Sequence, residues 1–212
     1  AQQNWTGINQ NRPVPADISL IGSNISETQI QVAVDGFFET AVRTHKGAAS
    51  IVNTAEGVLI TEKGAPDLGK LFTSIIVPDY DEMQLTVVSA SYREFTGIEV
   101  APSKGHFTRD INPEDVPFTW GEVYEKDAFW PGHLAELEDP FIMRDFRGQV
   151  VTSYPLQYNP VTRVLRVYTD MVIEVSTTGR PGTEPLTRTK DHIRIEPEFG
   201  QIYNRFFLNM DN

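Results

Sequence analysis

The stretch TQIQVAV, residues 28–34, sets the tightest limit on what this chain can fold into. Ile30, Val32 and Val34 alternate with Gln29, Gln31 and Ala33, so an extended segment would carry one apolar and one polar face, the period of a half-buried strand. Strand-like runs recur near 38–45, 49–54, 57–61, 71–78, 83–95, 97–101, 149–157 and 163–177. PLQYNPVTRVLRVY (155–168) joins the last two through Asn159-Pro160-Val161-Thr162. Asn at the first and Pro at the second turn position suit a type I hairpin connection. Helical spacing is convincing only near the end, where Phe199, Ile202, Tyr203, Phe206 and Phe207 follow i, i+3, i+4, i+7, i+8 and Pro197 suits a helix start. Many short strands with little helix predict an all-β, antiparallel sandwich or barrel.

The 212 residues fit one large β-domain, and with 40% hydrophobic residues the chain can bury a sizeable core. Residues 1–27 are polar and contain Pro13 and Pro15, so they read as an extended arm tacked down by Trp5, Ile18, Leu20 and Ile21, with 28–212 as a single domain. The Gly, Pro, Thr and charge of 178–191 read as an exposed loop. The connection from 101 to 148 is the anomaly: structureless loops of that length are uncommon and usually functional.

Acidic residues outnumber basic ones 29 to 18, a field that disfavours nucleic acid and anionic lipid. There is no cysteine, which excludes disulfides, thiolate metal sites and a cysteine nucleophile. No apolar run reaches the roughly 18 residues of a membrane span, so no membrane insertion is expected. The start Ala1-Gln2-Gln3 lacks Met and suits the product of signal-peptide cleavage, so export is expected.

Chemistry is sparse. His45, His106, His133 and His192 have no metal-ligand spacing, and no metal or cofactor is expected. DINPED, from Asp110 to Asp115, resembles the start of a calcium loop but lacks its glycine and distal glutamate. No nucleophile elbow, phosphate loop or dinucleotide fingerprint is present. Trp120, Phe129 and Trp130 flank the Pro131-Gly132 turn, where they cover a sheet edge or, in a second reading, form the platform of a surface adhesin or glycan-binding module. Arg144 and Arg147 sit among acids, and ion pairs with Asp139 and Asp145 are the expectation.

APSKGHFTRDINPEDVP (101–117) gathers Lys104, His106 and Arg109 in an acidic chain, punctuated by Pro102, Gly105, Pro113 and Pro117. Such a segment joins neither a helix nor a central strand and should project as a shaped loop that meets partners. Together with FWPGHLAELEDPFIMRDFRGQVV (129–151) and PLQYNPVTRVLRVYTDMVIEVS (155–176), the run through Gly121 resembles the prodomain of arginine-specific gingipains, secreted bacterial cysteine peptidases. TEKGAPDLGKLFTSIIVP (61–78) is similar too, with Gly69 where proline would be expected. The resemblance covers about 50–210 and is faint over the first 45 residues.

It implies a β-sandwich that folds beside the catalytic domain of an arginine-specific cysteine peptidase and keeps the zymogen latent, with an inhibitory loop at about 101–121. It further implies an arginine in the S1 pocket. On this sequence that residue is Arg109, also the candidate cleavage site, with Lys104, Gly105, His106, Phe107, Thr108 and Asp110 as loop contacts. Lys104 on its own is expected to matter little. Prodomains of this kind end in an arginine at which maturation cleaves, so a processing site is expected shortly beyond Asn212.

Overall fold

A computed structural model describes residues 3–188 and 195–210. The strands, in chain order, are β1 (Gln3–Gly7), β2 (Asp17–Ser23), β3 (Glu27–Ala33), β4 (Gly36–Thr44), β5 (Gly47–Asn53), β6 (Val58–Leu59), β7 (Gly69–Ile76), β8 (Asp81–Thr96), β9 (Ala135–Leu137), β10 (Phe141–Met143), β11 (Phe146–Ser153), β12 (Leu156–Asn159) and β13 (Val164–Pro181), followed by helix α1 (Pro197–Phe206). All strand pairs are antiparallel. One sheet runs β12-β13-β3-β2 with β8 on the other side of β13, a second runs β10-β11-β7-β6 with β9 on β11, and β1-β4-β5 form a third. The result is an all-β sandwich.

The alternation at 28–34 does what its period requires. Thr28, Ile30, Val32 and Val34 are buried, while on the polar face Gln29 donates to Glu174 (3.1 Å) and Gln31 to Asp170 (2.6 Å) across the β3–β13 ladder. From β13, Met171, Ile173 and Val175 join the same core as Leu71 and Ile75 of β7 and Val151 of β11. Phe37 of β4 and Val52 of β5 extend it into the third sheet. The Asn159 side chain accepts the Val161 and Thr162 amides at 3.1 and 3.2 Å, forming the expected connection between β12 and β13.

Several local expectations change. Residues 3–7 and 17–23, read as parts of an extended arm tacked down by apolar side chains, are strands paired with β4 and β3. Segment 97–101, read as a strand, contributes only an isolated Val100 bridge to Ser50. The 101–148 connection holds β9, β10 and two short 3-10 turns, Pro113–Asp115 and Glu122–Glu125. Residues 178–181 prolong β13. Beyond them the chain is strapped down, with the Gly182 amide on Tyr80 O (2.7 Å) and the Leu186 amide on Asp79 O (2.9 Å); residues 189–191 of the expected loop, and His192, lie outside the described residues. Helix α1 starts at Pro197 as expected, but it buries Tyr203 and, just past its end, Phe207, leaving Ile202 and Phe206 exposed.

Arg147 departs most from expectation. It does not pair with Asp139. Its side chain is 1% exposed and donates to four carbonyls, those of Pro78 (2.7 Å), Asp81 (2.9 Å), Thr183 (2.8 Å) and Glu184 (3.0 Å). Burial pushes its guanidinium below the usual range, and Asp79 and Asp81 pull it partly back. Arg144 does pair with Asp145 (3.5 Å) and reaches Glu196 (3.7 Å), with its guanidinium 3.8 Å above the Phe199 ring. At Gly69 the expected proline would not fit, because a Cβ there would lie 1.7 Å from Asn53 Oδ1 and 3.1 Å from the Asn53 backbone.

Candidate functional site

The long loop is pinched at its base by one residue. Gly64 donates its amide to Ser103 O (2.9 Å), and its own carbonyl accepts the Gly121 amide (2.9 Å). Entry and exit of segment 104–120 are thereby fixed side by side. Gly64 has φ +84, and a Cβ on it would lie 3.1 Å from the Gly121 nitrogen, so positive φ and close backbone approach both favour glycine here. The incoming limb is hydrogen-bonded along 65–67, with Ser103 N to Ala65 O (2.7 Å) and Asp67 N to Ala101 O (2.8 Å).

A second tie crosses the loop. Lys104 Nζ donates to Pro113 O (2.8 Å) and sits 4.4 Å from the Phe118 ring centroid. Asn112 caps the 3-10 turn by accepting the Glu114 amide at 3.2 Å. Lys104, read from sequence as a minor loop contact, is an internal clamp. Lys104→Ala is therefore expected to loosen the loop by about 1 kcal/mol, from one modest hydrogen bond and one exposed cation–π contact. Faster proteolytic nicking within 104–114, with an unchanged global unfolding midpoint, is the measurement that checks it.

Beyond the clamp the chain turns at Thr108–Ile111, closed by Ile111 N to Thr108 O (3.1 Å). Arg109 and Asp110 are its central residues, and 108–111 are all exposed. The Thr108 hydroxyl holds the Asp110 carboxylate below its usual range. Arg109 has no ion-pair or hydrogen-bond partner among the described residues. Of the other expected contacts, His106 is exposed, Gly105 turns the chain with φ +90, and Phe107 is half-buried against the protein.

Phe107 roofs a cavity of about 340 Å³ with Phe118, Pro113 and Lys104, over a floor from Ile51, Leu59 and Asp67. Asp67 is 8% exposed, and burial raises its carboxyl to about 6. A folded pKa above the unfolded value means that the folded state holds the proton more tightly. This contribution to stability is fully present below about pH 4 and is lost as the pH rises through 6. Asp67→Asn is accordingly expected to stabilise the chain by about 2–3 kcal/mol at pH 7.5 and to change little below pH 4, as read by urea unfolding at both pH values.

The aromatic turn is engaged internally. Trp130 exchanges two 2.9 Å backbone hydrogen bonds with Tyr158 on β12, Arg166 stacks 3.9 Å from Phe129, and Trp120 packs against His45 (4.8 Å) beneath Lys46 (4.3 Å). Trp130 thus covers the β12 edge, while Trp120 and Phe129 pack against neighbouring side chains. Gly64, Asp67 and Phe118 were not singled out from sequence; the one available signal was GAPD, a turn-forming Gly-x-Pro with a carboxylate beside it.

The β-sandwich thus carries one doubly tied loop with an unpaired guanidinium at its tip. The chain belongs to the Propeptide_C25 family, whose model matches residues 9–205. It is 40% identical over 194 residues to gingipain R2 of Porphyromonas gingivalis strain W83, covering 92% of this chain and 26% of that protein. It is 39% identical over 211 residues to gingipain R1 of P. gingivalis, covering 100% and 20%. The chain thus spans about a quarter or less of the length of these curated relatives. Among solved structures it resembles a chain in the complex of P. gingivalis RgpB pro- and mature domains, with a TM-score of 0.83, 40% identity, and coverage of 92% of this chain and 98% of that one.

Proposed function

We propose that this chain is the zymogen prodomain of an exported arginine-specific cysteine peptidase. It binds the catalytic domain, blocks the cleft by inserting Arg109 into the S1 pocket, and assists folding and latency. The observation that carries this reading is the unpaired Arg109 guanidinium at the tip of a loop tied at Gly64 and again at Lys104. The family membership and the likeness to a prodomain that forms a complex with its mature domain support it.

A guanidinium presents a planar fork to a pocket carboxylate and forms two parallel hydrogen bonds, which an ammonium cannot copy. A loop already held in its docked shape loses less entropy on binding. The bond after Arg109 is the candidate cleavage site, and the loop acts as an inhibitor for as long as that bond is held out of line with the attacking thiol.

The test is to add the chain to the mature peptidase and follow both turnover and alkylation of the active-site thiol. Competitive, saturable inhibition with protection of the thiol is expected. Unhindered alkylation at saturating chain refutes cleft blocking.

A further inference from the structure

We infer that the cavity beneath the loop is a binding site for a small organic cation, a primary amine or amidinium carried on a flat apolar body. The cavity is about 340 Å³, within the range of small-ligand sites, which are mostly apolar with one or a few polar anchors. Ile51 and Leu59 supply its aliphatic side and Phe107 and Phe118 its aromatic side.

Asp67 is the anchor. It lines the cavity at 8% exposure and has no side-chain hydrogen bond or ion pair among the described residues. Burial is the cause of its raised pKa. An ionised carboxylate so placed is costly, and a cation entering the cavity offsets that cost while the apolar walls cover the rest of the ligand.

The alternatives fit less well. A metal ion needs several oxygen or nitrogen ligands, and among the described residues no three His, Asp or Glu side chains gather to hold one. A neutral ligand leaves the carboxylate unpaired, and an anion is repelled. Lys104 lines the cavity too, but its ammonium is engaged by Pro113 O and Phe118. The other titratable groups on the elements packed about Asp67 are Tyr124, whose hydroxyl donates to Val100 O (2.8 Å), Glu62 and Lys63 on the turn before it, and Glu99 and Tyr158 behind Tyr124. Neither His45 nor His106 lines the cavity. This inference does not depend on where Arg109 docks.

The experiment titrates the 212-residue chain with benzylamine and with benzyl alcohol, its neutral counterpart, following backbone amide shifts. At pH 7.5 benzylamine is expected to bind at least tenfold more tightly, with shifts centred on Leu59, Asp67 and Phe107. The preference should vanish in Asp67→Asn and shrink as the pH falls below 6. Leu59→Trp, which fills the cavity and keeps the carboxylate, should block both ligands. Equal affinities, shifts centred elsewhere, an unaltered preference in Asp67→Asn, or no saturation at millimolar ligand overturns the inference.

Discussion

Arg109→Ala is expected to weaken inhibition of the mature arginine-specific peptidase by about 1.5–4 decades. Truncating one partner of a desolvated, hydrogen-bonded charge pair costs about 2–5 kcal/mol, much of it from the charge left unpaired. Arg109→Lys should lose less, because an ammonium keeps the charge but not the two-pronged geometry. Since Arg109 is exposed and has no hydrogen-bond or ion-pair partner among the described residues, neither change should move the unfolding midpoint. The loss therefore reports on docking alone. If both variants inhibit as tightly as the parent, the guanidinium is not in the pocket, even where the two proteins still associate. One arginine cannot supply the whole affinity, so a contact on the order of 1,600 Å² is expected around it.

The largest stability effect is expected at the other arginine. Arg147→Ala removes the donor shared by the carbonyls of Pro78, Asp81, Thr183 and Glu184 and opens a hole where a side chain was 1% exposed. Unsatisfied carbonyls cost about 1–3 kcal/mol each where water does not reach them. Thr183 and Glu184 are surface residues that can rehydrate, so about 3–4 kcal/mol in total is expected, measured by urea unfolding. Arg147→Lys should recover less than half, since one ammonium cannot span four acceptors in fork geometry. A loss below 1 kcal/mol in Arg147→Ala would show that the strap at 182–188 holds without it.

These two arginines show what the sequence makes legible. The exposed loop that carries Arg109 is legible because Pro and Gly punctuation marks a projecting segment, while the role proposed for Arg109 rests on the resemblance and on no local pattern. Arg147 reads differently because the local acids suggest ion pairs, whereas its acceptors are backbone carbonyls 36–69 residues away. The same division runs through the fold. Strand β3 and the β12–β13 hairpin declare themselves through their own period and turn residues. Strand β1 carries no alternation and is a strand because β4 offers an edge to it, with Trp5 packed 5.0 Å from Phe38; β9 and β10 are too short for any period to show. In α1 the spacing marked a helix correctly but allowed too wide an apolar face, because only the Tyr203 and Phe207 side meets the sheet. Gly64 and Asp67 act on a loop about forty residues later, and no local pattern encodes that meeting.

The ladder between β3 and β13 joins residues 27–33 to 170–176. Closing a ring of chain that long carries a large entropic barrier before any contact rewards it, and folds dominated by such remote pairings assemble in milliseconds to seconds. The central sheet can therefore form only after the chain has been made through about residue 176. Until its seven residue pairs with β13 form, β3 has an unpaired edge exposed, the interval in which a chain is most open to aggregation and to chaperones.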